Sequence, residues 1–299
     1  MAKKTTPTYD FPHPMDNDTL IGHMGTVRNF MDAWNNREHH PIHPVWMLTG
    51  PRGIGKATLA YKLAKMVYGN VGDFFIIDIS RNVDKDGKPK PDGKEISVYT
   101  VRAMIDKMQL SSMSGAWRVV LIDSLDELNK AASNAILKLL EEPPEKTLFL
   151  LIVHRLANVL PTVRSRARVE KMHPLSISEL RDLCVRFMPD ADVSTEVLRL
   201  SNGSFGKIAD MRRTGGDIIY DDLIEKLQDK STTSADLMAV AKKIAPTPEL
   251  YSILLDAVAY FGLADMYPST TKSIADITSV HLEPEVGIFK ILMDIKKCL

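Results

Sequence analysis

The segment Gly50-Pro-Arg-Gly-Ile-Gly-Lys56 limits what this chain can fold into more than any other feature. It has the spacing Gly-x4-Gly-Lys, the pattern of a loop whose backbone amides cradle phosphates at a helix N-terminus while the lysine reaches the outer phosphates. Three fixed positions alone are weak evidence, because a plain turn between strand and helix satisfies them too. The flanks lift the reading. Val45-Trp-Met-Leu-Thr49 is a short apolar run before the loop, and Ala57 to Tyr68 follow with helical apolar spacing, so the order is strand, loop, helix. A later apolar run ends in Asp123, where an acid that organises magnesium is expected.

Further runs rich in β-branched and aromatic residues lie at Phe74–Ile79, Val119–Asp123 and Leu148–Val153, with helical patterns near 97–110 and 127–142 between them. Near-continuous apolar strands alternating with helices argue for an α/β fold with a parallel sheet buried on both faces. A first helix is expected near 24–36. After Pro174 the strand signal ends, and Ser176-Ile-Ser-Glu179 forms a capping box that opens a helix. Helical periodicity then recurs near 194–201, 204–213, 218–229, 234–244, 248–263, 269–279 and 284–298. The expected organisation is a flexible lead-in over 1–18, an α/β nucleotide-binding-type domain over 19–174, a small helical lid over 175–215 and an all-helical C-terminal domain over 216–299. The charged stretch from Asn82 to Glu95, with two Gly and two Pro, is expected as an exposed loop or hairpin, and its spacing does not make an EF-hand calcium loop.

Composition narrows the partners. Of 299 residues 44% are apolar, enough for a real core. Lys plus Arg and Asp plus Glu are equal at 38 each, so no overall positive field drives binding to a phosphate backbone, and any DNA contact must be local. Cys184 and Cys298 stand far apart without His or Cys at ligand spacing, so neither a disulfide framework nor a zinc module is expected. No apolar h-region follows the N-terminal lysines, and 18 apolar residues never run together, so a cytoplasmic chain without a membrane span is expected. His39, His40 and His43 lack a carboxylate partner and facial spacing, so no metal site is expected there.

The phosphate-loop site is damaged. The residue after Lys56 should carry a hydroxyl that binds magnesium, yet Ala57 stands there and Thr58 follows, turned about 100° round the helix. After Asp123 a carboxylate should polarise the attacking water, and Ser124 is a poor base. Asp126 or Glu127 would have to substitute, although both sit where a helix start favours acids anyway. Hydrolysis here should be very slow. ATP binding at Gly50, Gly53, Gly55, Lys56 and Asp123 is expected to be weak or absent.

The stretch from Val119 to Pro144, ending Leu-Leu-Glu-Glu-Pro-Pro, resembles the clamp-loader AAA+ subunits of bacterial DNA polymerase III. Leu156 to Ala167, containing Leu-Pro-Thr-Val-Arg-Ser-Arg-Ala, is similar to that family's Ser-Arg-Cys segment, and Leu20-Ile-Gly-His23 with His43-Pro44 matches its N-terminal box. The resemblance covers residues 20–170 and implies a P-loop AAA+ domain, then a lid and a helical collar. It implies a delta-prime-type subunit rather than a gamma/tau-type or other AAA+ motor, because Ala57 and Ser124 mark decay of the site. Arg166, in the Ser-Arg motif, is then an arginine finger reaching into a neighbouring gamma/tau subunit. The implied partners are gamma/tau and delta subunits, and through them the sliding clamp and primed DNA. The chain would belong to the DNA-directed DNA polymerase III holoenzyme without independent catalysis. The competing reading of Arg164, Arg166 and Arg168 is a solvated basic edge. Another rival is an adaptor that has kept the fold and lost every nucleotide role. The chain departs from the family in lacking the four-cysteine zinc module and in having Ala167 for Cys. His154 stands at the family's sensor position, where a structural histidine is expected, and Lys207 stands where related ATPases carry a sensor arginine.

Overall fold

The computed structural model describes residues 11–69, 72–91, 93–110, 115–279 and 283–299. Residues 1–10 of the expected lead-in and Asp92 of the 82–95 stretch lie outside them. Internal contacts divide the chain into one unit over Pro12–Leu175 and a second over Ser176–Leu299 that includes Phe11.

The first unit is a parallel sheet with helices on both faces. Its strands are β1 (Val45–Thr49), β2 (Phe74–Asp78), β3 (Arg118–Asp123), β4 (Thr147–Val153) and β5 (Arg168–Lys171), in the order β2-β3-β4-β1-β5. Alternation along each strand sorts side chains to two cores. On one face Val45, Met47, Val120, Ile122, Phe149 and Leu151 meet Val101, Met104, Ala132 and Ile136 of α3 (Val98–Leu110) and α4 (Lys130–Glu141). On the other, Trp46, Leu48, Val119, Leu121, Leu150 and Ile152 meet Phe30, Leu59 and Leu63 of α1 (Met24–Asn35) and α2 (Lys56–Tyr68). Every residue of β1 and β4 is buried, as a strand covered on both faces must be. Each such aliphatic side chain stabilises the unit by about 1.5–3 kcal/mol relative to exposure.

Strands β1 to β4 coincide with the four apolar runs expected above, whereas β5 is not among them. That strand pairs in parallel with β1, from Trp46 against Arg168 to Thr49 against Lys171. Arg-Val-Glu-Lys has one apolar residue, too few to show as an apolar run, and Arg168 settles over the Trp46 ring at 4.3 Å. The four-residue α5 (Pro161–Arg164) just before it is also absent from the periodicity. From Asn82 to Pro89 the chain turns back in a small hairpin closed by a bridge between Val83 and Pro89. Asn82, 2% exposed, anchors it by donating to the Glu95 carbonyl and accepting from Ser97 N–H and Thr100 Oγ1.

The second unit is helical: α6 (Ile177–Phe187), α7 (Thr195–Leu200), α8 (Phe205–Thr214), α9 (Gly216–Gln228), α10 (Ser234–Ile244), α11 (Ser252–Tyr260), α12 (Tyr267–Ser279) and α13 (Pro284–Lys297). The capping box read from Ser176 and Glu179 is formed at α6. The single helix expected over 248–263 is a 3-10 turn at Pro248–Tyr251 running into α11, which stops at Tyr260 ahead of Gly262, whose φ of 70° takes the chain out of the helix. Tyr220, Leu223, Val240, Ile244, Leu254, Ile288 and Leu292 fill its core. Among the described residues no helix is long and apolar enough to cross a membrane.

Candidate functional site

The phosphate loop forms as its glycines require. Gly50 follows β1 so close to the chain after β5 that a Cβ would stand 2.4 Å from the Met172 carbonyl oxygen. Gly55 has φ 103°, a region that disfavours side chains, and its carbonyl accepts from Leu59 to start α2. The N-terminal box flanks the loop, with His23 Nε2 donating to the Ile54 carbonyl at 2.7 Å. Lys56 is 3% exposed and folds back on its own loop, donating to the carbonyls of Gly50 at 2.7 Å and Pro51 at 2.5 Å. Burial pulls its ammonium down to about 8, against the opposing charges of Asp123 and Asp126, so it remains mostly charged at neutral pH. Ala57 presents a methyl group where magnesium would find its hydroxyl. The residues fit phosphate oxygens better than the metal that usually accompanies them.

The strand order places β4 between β1 and β3, so the residue that follows β4, His154, enters the site from between Lys56 and Asp123. Burial, then Lys56, pushes His154 down to about 4, so its imidazole is neutral at pH 7. His154 is half-buried, and among the described groups its Nδ1 has no hydrogen-bond partner. Asp123 closes β3, and burial followed by Glu127 and Asp78 raises its carboxyl to about 6. Ser124 beside it is 1% exposed, and its hydroxyl has no partner among the described residues. Asp126 is occupied structurally. Its two oxygens accept the amides of His154 at 2.9 Å and Arg155 at 3.1 Å, tying the turn after β3 to the end of β4. Glu127 lies in a 3-10 turn rather than at the start of a helix, and its carbonyl accepts from Ile96.

The structure brings Gly50, Gly53, Gly55, Lys56 and Asp123 together at the C-terminal ends of the strands, with His154 among them. Arg166 stands apart in the turn after α5. Arg164 ends α5, Arg166 lies in the turn and Arg168 begins β5, so spacing-two alternation does not hold and the three arginines do not form one strand edge. Arg166 donates to the Thr162 carbonyl at 2.7 Å and pairs with Glu141 at 2.8 Å, while 35% of its side chain remains exposed. In the helical unit Lys207 is taken up by Asp256, with contacts of 2.9 and 3.0 Å. His43 Nδ1 lies 2.8 Å from the Val45 carbonyl and 3.1 Å from the Val45 amide and so shapes the entry to β1. The sequence gives no sign of the Asp126 and Glu141 contacts, because their partners lie 25 or more residues away.

Residues 27–176 match the family described as "DNA polymerase III, delta subunit". Over 183 residues the chain is 31% identical to DNA polymerase III subunit delta' of Pseudomonas aeruginosa, covering 53% of this chain and 52% of that protein. It is 27% identical over 229 residues to DNA polymerase III subunit gamma of Buchnera aphidicola from Acyrthosiphon pisum, covering 73% of this chain and 61% of the other. The chain thus spans about half to three fifths of these relatives' length. A gamma subunit-related protein from Thermotoga maritima shares the fold with a TM-score of 0.52 at 17% identity, over 92% of this chain and 99% of that one.

Proposed function

The chain belongs to the DNA polymerase III clamp-loader family of AAA+ subunits, and on that premise we propose that it fills the delta-prime-type role, lending an arginine to a neighbour rather than hydrolysing ATP itself. One observation carries the reading. The Asp123 end of β3 leads into a buried Ser124, and the acid two residues on, Asp126, is spent on two backbone amides. Ser124 lacks a carboxylate, and Asp126 is held to a structural task by an accepted amide on each oxygen, so both are poor general bases toward water. With Ala57 removing a magnesium ligand as well, the loop keeps a phosphate cradle while the hydroxyl and the acid directly after Asp123 that would help to break the phosphoanhydride bond are missing. ATP would bind weakly if at all, since Lys56 must leave the Gly50 and Pro51 carbonyls to meet a phosphate.

Arg166 supplies the outward role. It is exposed enough to reach a second protein, and its planar fork suits a γ-phosphate on which charge develops. In this reading the partners are gamma/tau and delta subunits, and the assembly places a sliding clamp on primed DNA in the cytoplasm. Reconstitution with gamma-type and delta subunits tests it, comparing wild type with Arg166→Ala. Loss of the finger should slow the site it serves by roughly a thousandfold or more, with the ring still assembled. Equal DNA-stimulated ATP turnover and clamp loading would overturn the reading.

A further inference from the structure

Arg166 does not wave free in solvent. Its guanidinium is held at Nη1 by the Thr162 carbonyl at 2.7 Å and, more loosely, by Ser165 Oγ at 3.4 Å, while Nη2 meets Glu141 Oε1 at 2.8 Å. Thr162 and Ser165 are local, one within α5 and one in the turn after it. Glu141 is not, because it is the last residue of α4, 25 positions earlier in the chain. An acid there is locally unfavourable, since the C-terminal end of a helix carries partial negative charge and Glu142 follows immediately. Pro143 and Pro144 then stop the helix, fixing where that carboxylate stands. A cation brought to it removes the local penalty, and Arg166 is the one that arrives.

We propose that Glu141 is a positioning residue for Arg166, fixing the plane and direction of the guanidinium before a neighbouring nucleotide is met. This rests on the finger reading given above and adds to it the group that aims the finger. A guanidinium has five N–H donors, and the three contacts leave donors for an incoming phosphate oxygen without release of the carboxylate. Glu141 therefore orients the arginine instead of competing for it. Both side chains are partly exposed, at 35% for Arg166 and 46% for Glu141, so the tether is weak and its effect modest. A long side chain held in one rotamer loses less freedom when it engages, and that gain is realised in the step the arginine assists.

The test uses the reconstituted ring with gamma-type and delta subunits, carrying wild type, Glu141→Gln, Glu141→Asp, Arg166→Ala or the Glu141→Gln/Arg166→Ala pair. Glu141→Gln should lower kcat of DNA-stimulated ATP turnover about two- to fivefold with KM for ATP unchanged. Glu141→Asp should recover part of that loss, and the double variant should match Arg166→Ala alone, since the carboxylate acts only through the arginine. Should Arg166→Ala be impaired while Glu141→Gln runs at the wild-type rate or faster, the positioning role is overturned and the finger stands. Wild-type turnover with Arg166→Ala would overturn the finger and the positioning role with it. A drop in the double variant well below Arg166→Ala would show Glu141 acting by another route and would equally overturn the proposal.

Discussion

Replacing Asp126 with Ala separates the structural reading of this acid from a catalytic one. Its carboxylate accepts two backbone amides, from His154 at 2.9 Å and Arg155 at 3.1 Å, and so joins the turn after β3 directly to the end of β4. A hydrogen bond to a charged group contributes about 1.5–3 kcal/mol, and the half-burial of Asp126 favours the lower figure. Losing both should cost about 3 kcal/mol. For a unit the size of residues 12–175 that lowers the melting temperature by roughly 6–12 °C. Asp126→Asn, which keeps one acceptor, should lose about half as much. Thermal melts give the magnitude, and hydrogen exchange at the His154 and Arg155 amides shows whether these two bonds are the ones lost. If Asp126→Ala kept full stability yet abolished an ATP turnover that the wild type displays, the acid would be the general base and the reasoning refuted.

Two further outcomes follow from buried charge. Folding raises the Asp123 carboxyl from 3.8 to about 6, so the folded chain holds that proton more tightly than the unfolded one. The associated stability is full below about pH 4 and lost as pH rises through about 6, so Asp123→Asn should gain about 1–2 kcal/mol over wild type at pH 7.5 and nothing at pH 4, after discounting the full shift for partial solvent access. Urea melts at the two pH values check this, and a pH-independent difference contradicts it. In the helical unit Arg212 and Asp217 form a pair with side chains 9% and 5% exposed, across the turn at Gly215. Asp217→Ala should cost about 3–5 kcal/mol in urea melts, whereas Arg212→Met with Asp217→Leu should cost much less; a harmless single substitution would contradict the burial argument.

Much of this was legible in the residues. Strands β1, β3 and β4 announce themselves because both faces are buried and almost every residue is apolar, and β2, an edge strand that is mostly half-buried, still reads as the apolar run Phe-Phe-Ile-Ile. The phosphate loop is equally visible, because its glycines answer local backbone demands at Gly50 and Gly55. Strand β5 escaped because Arg-Val-Glu-Lys has only Val169 as an apolar residue and none of the four is fully buried, whereas β2 at the opposite edge keeps four apolar residues in a row. The loss of the magnesium hydroxyl and of the water-activating acid could be read from Ala57 and Ser124 by position. What Asp126, Glu141 and Asp256 touch could not, since each partner is brought in by the fold rather than by helical or strand spacing. His154 was expected to be structural, and its place beside Lys56 follows from the strand order, which no local pattern encodes.

ATP turnover by the purified chain alone is the most direct examination of a site that has Lys56 and Asp123 but neither a hydroxyl at position 57 nor an acid at position 124. Phosphate release with saturating ATP and magnesium should not rise above the no-protein background, with or without primed DNA. Sustained release at several turnovers per second, abolished by Lys56→Ala, would show a working hydrolytic centre and contradict the whole assignment.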